Sequence, residues 1–255
     1  MVPTCPSYTL LRLLCVNWTL HTSLTRSFCT IPRLQHISFV TMVMDSGNLL
    51  SAVVFGPQSK EPKPEYLVRI RDSLCQNSDL APFVTAITEI PKIWTSFQAQ
   101  NRDIDTVAYG PQGLQALADW ISNGTSAWIC KAAYGIVALP LLTIIQITQY
   151  FEFLHGHDIK HRDVIRMAKR GAGIQGYCSG FFMAAAAATS EDERDLVQKA
   201  CNALRLSAIV GLYSDLAATN DKCGQGTMVI HLKLAGQLDE ILTSFPKVRT
   251  STVTA

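Results

Sequence analysis

The chain has 255 residues, 48% of them apolar and only 16% charged, with a formal net charge of +2. Such a composition excludes an intrinsically disordered chain, and no basic run or aromatic–basic interleaving offers a surface for nucleic acid. The 8 cysteines are scattered with no CxxC pair, so neither a zinc site nor a disulfide framework is implied and a reducing, cytoplasmic setting is expected.

Residues 1–44 differ from the rest. The first acid is Asp45, and before it Arg12, Arg26 and Arg33 stand among many Ser, Thr and Leu. A transit peptide has this composition, but no amphipathic pattern runs through the segment. It reads as an N-terminal extension, disordered or over-extended at its start, with initiation at Met42 or Met44. The domain is then expected over 45–255.

Residues 49–55 (LLSAVVF) predict a short buried strand, and Gly56-Pro57 a turn after it. Apolar periodicity predicts helices over 65–75 and 80–97, and a further helix over 110–121 ended by Asn123-Gly124. Residues 132–151 carry no charge and predict a long buried helix. They also hold Pro140, Thr143, Gln146, Thr148 and Gln149, polar or helix-breaking groups that a bilayer penalises unless they are partnered. A second uncharged run, 171–190, contains four glycines. Two buried elements of one α/β core explain both runs better than membrane spans do.

Between them, 155–170 is polar and reads as a loop with some helix. Ile174-Gln175-Gly176-Tyr177 predicts a strand entering a turn, and 179–189 a buried helix. Ser190 and Glu193 have the spacing of a capping box opening a helix to about residue 219. A strand over 227–234, a helix over 236–244 and a terminal strand over 248–253 complete the pattern. Alternating strands and helices predict an α/β fold with a parallel sheet covered on both faces.

The strongest chemical signal is Gly176-Tyr177-Cys178-Ser179-Gly180, a Gly-x-nucleophile-x-Gly pattern between a predicted strand and a predicted helix. Such a turn holds its nucleophile in strained backbone, and flanking glycines let neighbouring chain pass closely. The helix that follows turns its positive end toward the site, which favours a developing oxyanion. The Ser179 backbone N–H would be one oxyanion donor.

With that elbow placed, the chain resembles the starter-unit acyl-carrier-protein transacylase domain at the N-terminus of fungal non-reducing polyketide synthases. That family has a Gly-x-Cys-x-Gly elbow, met here by Gly176-Tyr177-Cys178-Ser179-Gly180. Val54-Phe55-Gly56-Pro57-Gln58 resembles its first strand and glycine–glutamine turn, and helical pieces around Ile90–Trp94, Ala118–Ile121 and Pro140–Phe153 are similar too. The resemblance runs from about Ser46 to the end. It implies a malonyl-transacylase-like acyltransferase fold with an α/β-hydrolase-type core. It implies a catalytic set of Cys178, Gln58 and Ser179, with Gln58 as second oxyanion donor.

The resemblance also implies substrate and partners. Acyl-coenzyme A is the donor, no cofactor is bound, and the acceptor is the phosphopantetheine thiol of an acyl carrier protein. Partners are that carrier and the remaining polyketide synthase domains, with no nucleic acid and no membrane. Malonyl-transferring relatives place an Arg where this chain has Val210 in Leu204–Gly211. A buried malonyl carboxylate there would lack a partner, at a cost on the order of several kcal/mol. A neutral starter such as acetyl or hexanoyl is therefore expected, and Arg205 is expected to be structural or on the surface.

The family pairs its Cys with a His on a later segment, beyond a small ferredoxin-like subdomain. On this reading the chain ends where that subdomain would begin, and the domain is incomplete at its C-terminus. A catalytically incomplete fragment is thus the alternative to an active transferase. A Cys hydrolase on the same fold is a third reading and lacks a candidate base and acid. His155, His157 and His161 invite a metal reading, but a solvated loop explains them more simply, and no metal is expected.

Overall fold

A computed structural model describes residues 40–44, 50–56, 62–100, 104, 105, 107, 109–125, 134–171 and 173–220, all within one compact unit. Gln58, the predicted elements beyond residue 220 and most of the N-terminal extension lie outside the described residues.

Strand β1 (Val40–Met44) pairs antiparallel with β2 (Leu50–Phe55), and β2 pairs parallel with β3 (Gly173–Gly176), giving the order β1-β2-β3. A parallel sheet is expected from the sequence; the β2–β3 pair is parallel, and the β1–β2 pair departs from it. Five residues join these strands, enough for a hairpin but far short of the dozen a parallel crossover needs. The β2–β3 pair has the whole helical segment in which to cross over, and it is parallel. Strand β1 also lies just before Asp45, so the sheet begins ahead of the boundary drawn from composition.

Between β2 and β3 come α1 (Pro64–Gln76), a 3-10 turn (Ser78–Leu80), α2 (Ala81–Glu89), α3 (Lys92–Gln100), α4 (Gly110–Asn123), α5 (Gly135–Gly156) and α6 (His161–Ala168). After β3 come α7 (Gly180–Thr189) and α8 (Glu193–Asn220). The helix expected over 80–97 is two helices: Pro91 has no N–H to donate back to Ile87 O and its ring clashes with that turn, so α2 ends at Glu89 although Ile90 keeps helical angles. Helix α4 stops as its sequence predicts: Gly124 takes φ 78° and its N–H donates to Trp120 O at 2.9 Å.

Helix α5 is the axis of the core. It is long and apolar enough to cross a membrane by length and composition, but 83% of its apolar window is buried inside the protein. Ile144, Ile147, Tyr150 and Phe151 are fully buried, and the helix packs against α1, α4, α7 and α8. Each such side chain contributes about 1.5–3 kcal/mol by leaving water. Three of its buried polar residues are partnered: Thr143 and Thr148 donate to carbonyls one turn back, and Gln149 Nε2 donates to Tyr66 Oη at 2.8 Å. Glycines let α5 and α8 touch, since a Cβ on Gly211 would lie 2.2 Å from Gly135 O.

Two local expectations are corrected. Ser190 is not the N-cap of α8. Asp192 fills that role, accepting the Asp195 N–H at 2.9 Å, while the Asp195 carboxylate accepts the Glu191 N–H. Ser190 Oγ is occupied elsewhere, donating to Ala187 O and meeting His161 Nε2 at 2.7 Å. Glu193 is turned away from its own helix and accepts the His161 N–H at the start of α6. The segment 155–161 is a solvated loop only in part: residues 157–160 form a mostly exposed turn and link, but both ends are helical and His161 is buried. His155 is in the last turn of α5, His157 caps it, and His161 opens α6 fully buried.

Candidate active site

The elbow is built by three close approaches. Strand β3 runs beside β2, with Phe55 opposite Gly176, and Tyr177 N donates to Phe55 O at 2.9 Å. The chain then reverses direction at Cys178, which has φ 54°, one of three non-glycine residues with positive φ among those described. That left-handed backbone costs an L-residue about 1 kcal/mol or more and persists where its surroundings impose it. Both flanking glycines impose it. A Cβ on Gly176 would lie 2.6 Å from Phe181 Cα, and one on Gly180 would lie 2.2 Å from Phe55 O. Only glycine lets β3, α7 and the end of β2 meet at this distance.

Cys178 is exposed, whereas Ser179 is buried at the N-cap of α7. The first turn is drawn in by Gly180 N to Tyr177 O and Phe181 N to Cys178 O, at 3.0 and 3.1 Å. The Cys178 and Ser179 amides donate to no acceptor among the described residues. A buried residue with a free amide beside an exposed sulfur is a place where an oxyanion can be held. The exposed Tyr177 and Phe181 flank it with apolar surface.

Helix α8 carries Leu206, Val210 and Tyr213 on one face, all exposed. Arg205 is exposed as well, in keeping with its expected surface role. A cavity of about 960 Å³ lies elsewhere, lined among others by Asp79, His155, Lys160 and Asp192. It includes none of the elbow residues.

No described histidine is bonded to Cys178. His155 pairs with Asp79 at 3.7 Å, and His157 packs against the Phe153 ring at 4.6 Å. His161 is held at both nitrogens. Ser190 O–H donates to Ala187 O, so Ser190 Oγ accepts from His161 Nε2–H and Tyr150 O–H donates to Nδ1. The network therefore assigns a neutral imidazole, and burial holds its pKa below the ordinary value of 6.5 against the pull of Glu193. Among the described residues no three His, Cys, Asp or Glu side chains gather as a metal site.

One contact had a faint sequence signal. Gln146, the polar residue at the centre of apolar α5, donates from Nε2 to Gly56 O at 2.8 Å. Gly56 follows the last residue of β2 beside the elbow, where a Gly180 Cβ would lie 3.2 Å from the same oxygen.

A family model described as "Starter unit:ACP transacylase in aflatoxin biosynthesis" matches residues 115–247, about half of the chain. The non-reducing polyketide synthase atr1 of Stereocaulon alpinum is 39% identical over 213 residues, covering 84% of this chain and 8% of that protein. The non-reducing polyketide synthase stbA of Stachybotrys bisbyi is 36% identical over 204 residues, covering 80% of this chain and 9% of that protein. The chain thus spans about a tenth or less of the length of these relatives, and the matched portion contains the elbow. The chain belongs to the starter unit:ACP transacylase family.

Proposed function

We propose that this chain transfers a neutral acyl starter unit from coenzyme A, through a thioester on Cys178, to the phosphopantetheine thiol of an acyl carrier protein in polyketide biosynthesis. The observation that carries this reading is the backbone of Cys178, at φ 54° between two glycines that tolerate no Cβ. Strain of this kind at an exposed sulfur has no packing benefit and is expected where a nucleophile must be presented. In the first half-reaction the sulfur bonds to the acyl carbon, the bond from that carbon to the coenzyme A sulfur breaks, and the thiol proton passes to the departing sulfur. The second half-reaction is the same exchange with the carrier thiol, giving ping-pong kinetics. The Ser179 amide and Gln58 are the proposed oxyanion donors, and Val210 in place of an arginine favours an uncharged acyl group.

A second reading is a chain without independent activity. The described histidines favour it, since each is engaged away from Cys178. The proton acceptor is then supplied from outside the described residues. One experiment separates the two: incubation with acetyl-, hexanoyl- and malonyl-coenzyme A, with intact mass read against Cys178→Ala. Neutral acyl adducts that vanish in the mutant are expected. Folded wild-type protein that takes up no acyl group would leave the second reading standing.

A further inference from the structure

We propose that Gln146 is a positioning residue for this acyl transfer: its side-chain amide fixes the Gly56 carbonyl at the end of β2, the oxygen packed against Gly180 of the elbow and two residues before Gln58. The inference rests on the acyl-transfer reading and adds a residue to it.

Three observations carry it. First, the contact is long-range and directional. Gln146 Nε2 reaches Gly56 O at 2.8 Å across 90 residues of sequence. A carbonyl only accepts, so the amide group facing it must be the donor. Second, the other half of the same amide has no partner. Gln146 is fully buried, and among the described residues its Oε1 meets no hydrogen-bond donor. A buried unsatisfied acceptor is destabilising, and an apolar side chain of similar volume in this apolar helix would avoid it. A half-satisfied amide is a poor choice for packing alone, so the residue is better explained by what its one bond holds. Third, the bond lands where precision matters. Gly56 O is 3.2 Å from the position of a Gly180 Cβ, and Phe55 O accepts the Tyr177 N–H. The β2 terminus is thus one wall of the turn that presents Cys178. A shift of its last peptide moves the elbow packing.

The remaining buried polar groups of α5 do not share this feature. Thr143 and Thr148 close onto their own helix, and Gln149 ties α5 to α1. Gln146 reaches the end of β2 beside the elbow.

The test compares two reactions of one sulfur in the full chain. Acylation by hexanoyl-coenzyme A passes through a tetrahedral oxyanion. Alkylation by iodoacetamide displaces iodide at a saturated carbon and forms none. Gln146→Met keeps the volume and removes the donor, and Gln146→Leu is a second apolar replacement in case either fails to fold. Because each also removes the unpaired Oε1, melting temperatures near wild type are expected. Acylation of Cys178, followed by intact mass, should slow by about tenfold or more, as for weakened oxyanion stabilisation. Alkylation should keep its wild-type rate. Unchanged acylation in a folded variant overturns the inference, and so does an equal loss in both reactions, which marks a structural role. A wild type that alkylates but takes no acyl group sinks the acyl-transfer reading itself, and this inference with it.

Discussion

The Asp215 carboxylate on α8 closes the N-terminus of α5 by accepting the Gly135 N–H at 2.8 Å, and its second oxygen accepts the Ile136 N–H at 2.9 Å. Two of the orphan donors of the core helix are thereby satisfied from 80 residues away. Burial raises the Asp215 pKa, and the two amide bonds oppose that without reversing it. Asp215→Ala should cost about 1–2 kcal/mol, the usual value of a lost cap. Asp215→Asn keeps one acceptor oxygen and should cost less. Urea unfolding of the three proteins checks the order, and a wild-type midpoint for Asp215→Ala would refute the capping role.

Strain at the elbow predicts a change that gains stability while losing function. Cys178→Gly removes the penalty of φ 54° and should stabilise the fold by about 0.5–1 kcal/mol. It should also abolish acyl adducts. Gly180→Ala should do the reverse to stability, since its Cβ would lie 2.2 Å from Phe55 O, and a loss of about 1–3 kcal/mol is expected. Thermal melts of both variants beside intact-mass assays give the answer, and equal melting temperatures would contradict the strain argument.

His161 predicts a pH dependence with a definite sign. Its folded pKa lies below the 6.5 of the free side chain, because burial disfavours the imidazolium. As pH falls below about 6.5 the unfolded chain takes up a proton that the folded protein does not, so stability is lost until the folded pKa is passed. Protonation at Nδ1 would also remove the acceptor of the Tyr150 O–H, while the Nε2–H to Ser190 is kept. The melting temperature should drop between pH 7.5 and pH 5.5, and His161→Gln should flatten that drop. Equal drops in the two proteins would remove His161 as the cause.

Charge selection is the fourth test. By the resemblance read from the sequence, Val210 is expected at the position of the arginine of malonyl-transferring enzymes, and it lies on an exposed face of α8 with Leu206 and Tyr213. Val210→Arg should raise the malonyl adduct relative to the hexanoyl adduct by about tenfold, the worth of one charge-assisted pair of about 1.5 kcal/mol. An unchanged ratio would place acyl selection elsewhere.

The elbow was legible in the sequence because its constraints are local. Gly176 and Gly180 exclude a side chain over a span of five residues, and the strand before and helix after follow from patterns of the same length. The long burial of α5 and the stop of α4 at Gly124 were legible for the same reason. Hydrogen bonds between distant segments were not. Ser190 and Glu193 have capping-box spacing, yet Ser190 is engaged by His161 and Glu193 by the α6 amide, so Asp192 caps α8 instead. The histidines looked like a solvated loop until Tyr150 and Ser190 enclosed His161. Gln146 stood out in the sequence only as a polar residue in an apolar run, with nothing to name its partner. Only the packing of α5 against β2 and α8 brought Gln146 and Asp215 to Gly56 and Gly135, across 90 and 80 residues, because side-chain partners at such separations are chosen by the fold and leave no period in the chain.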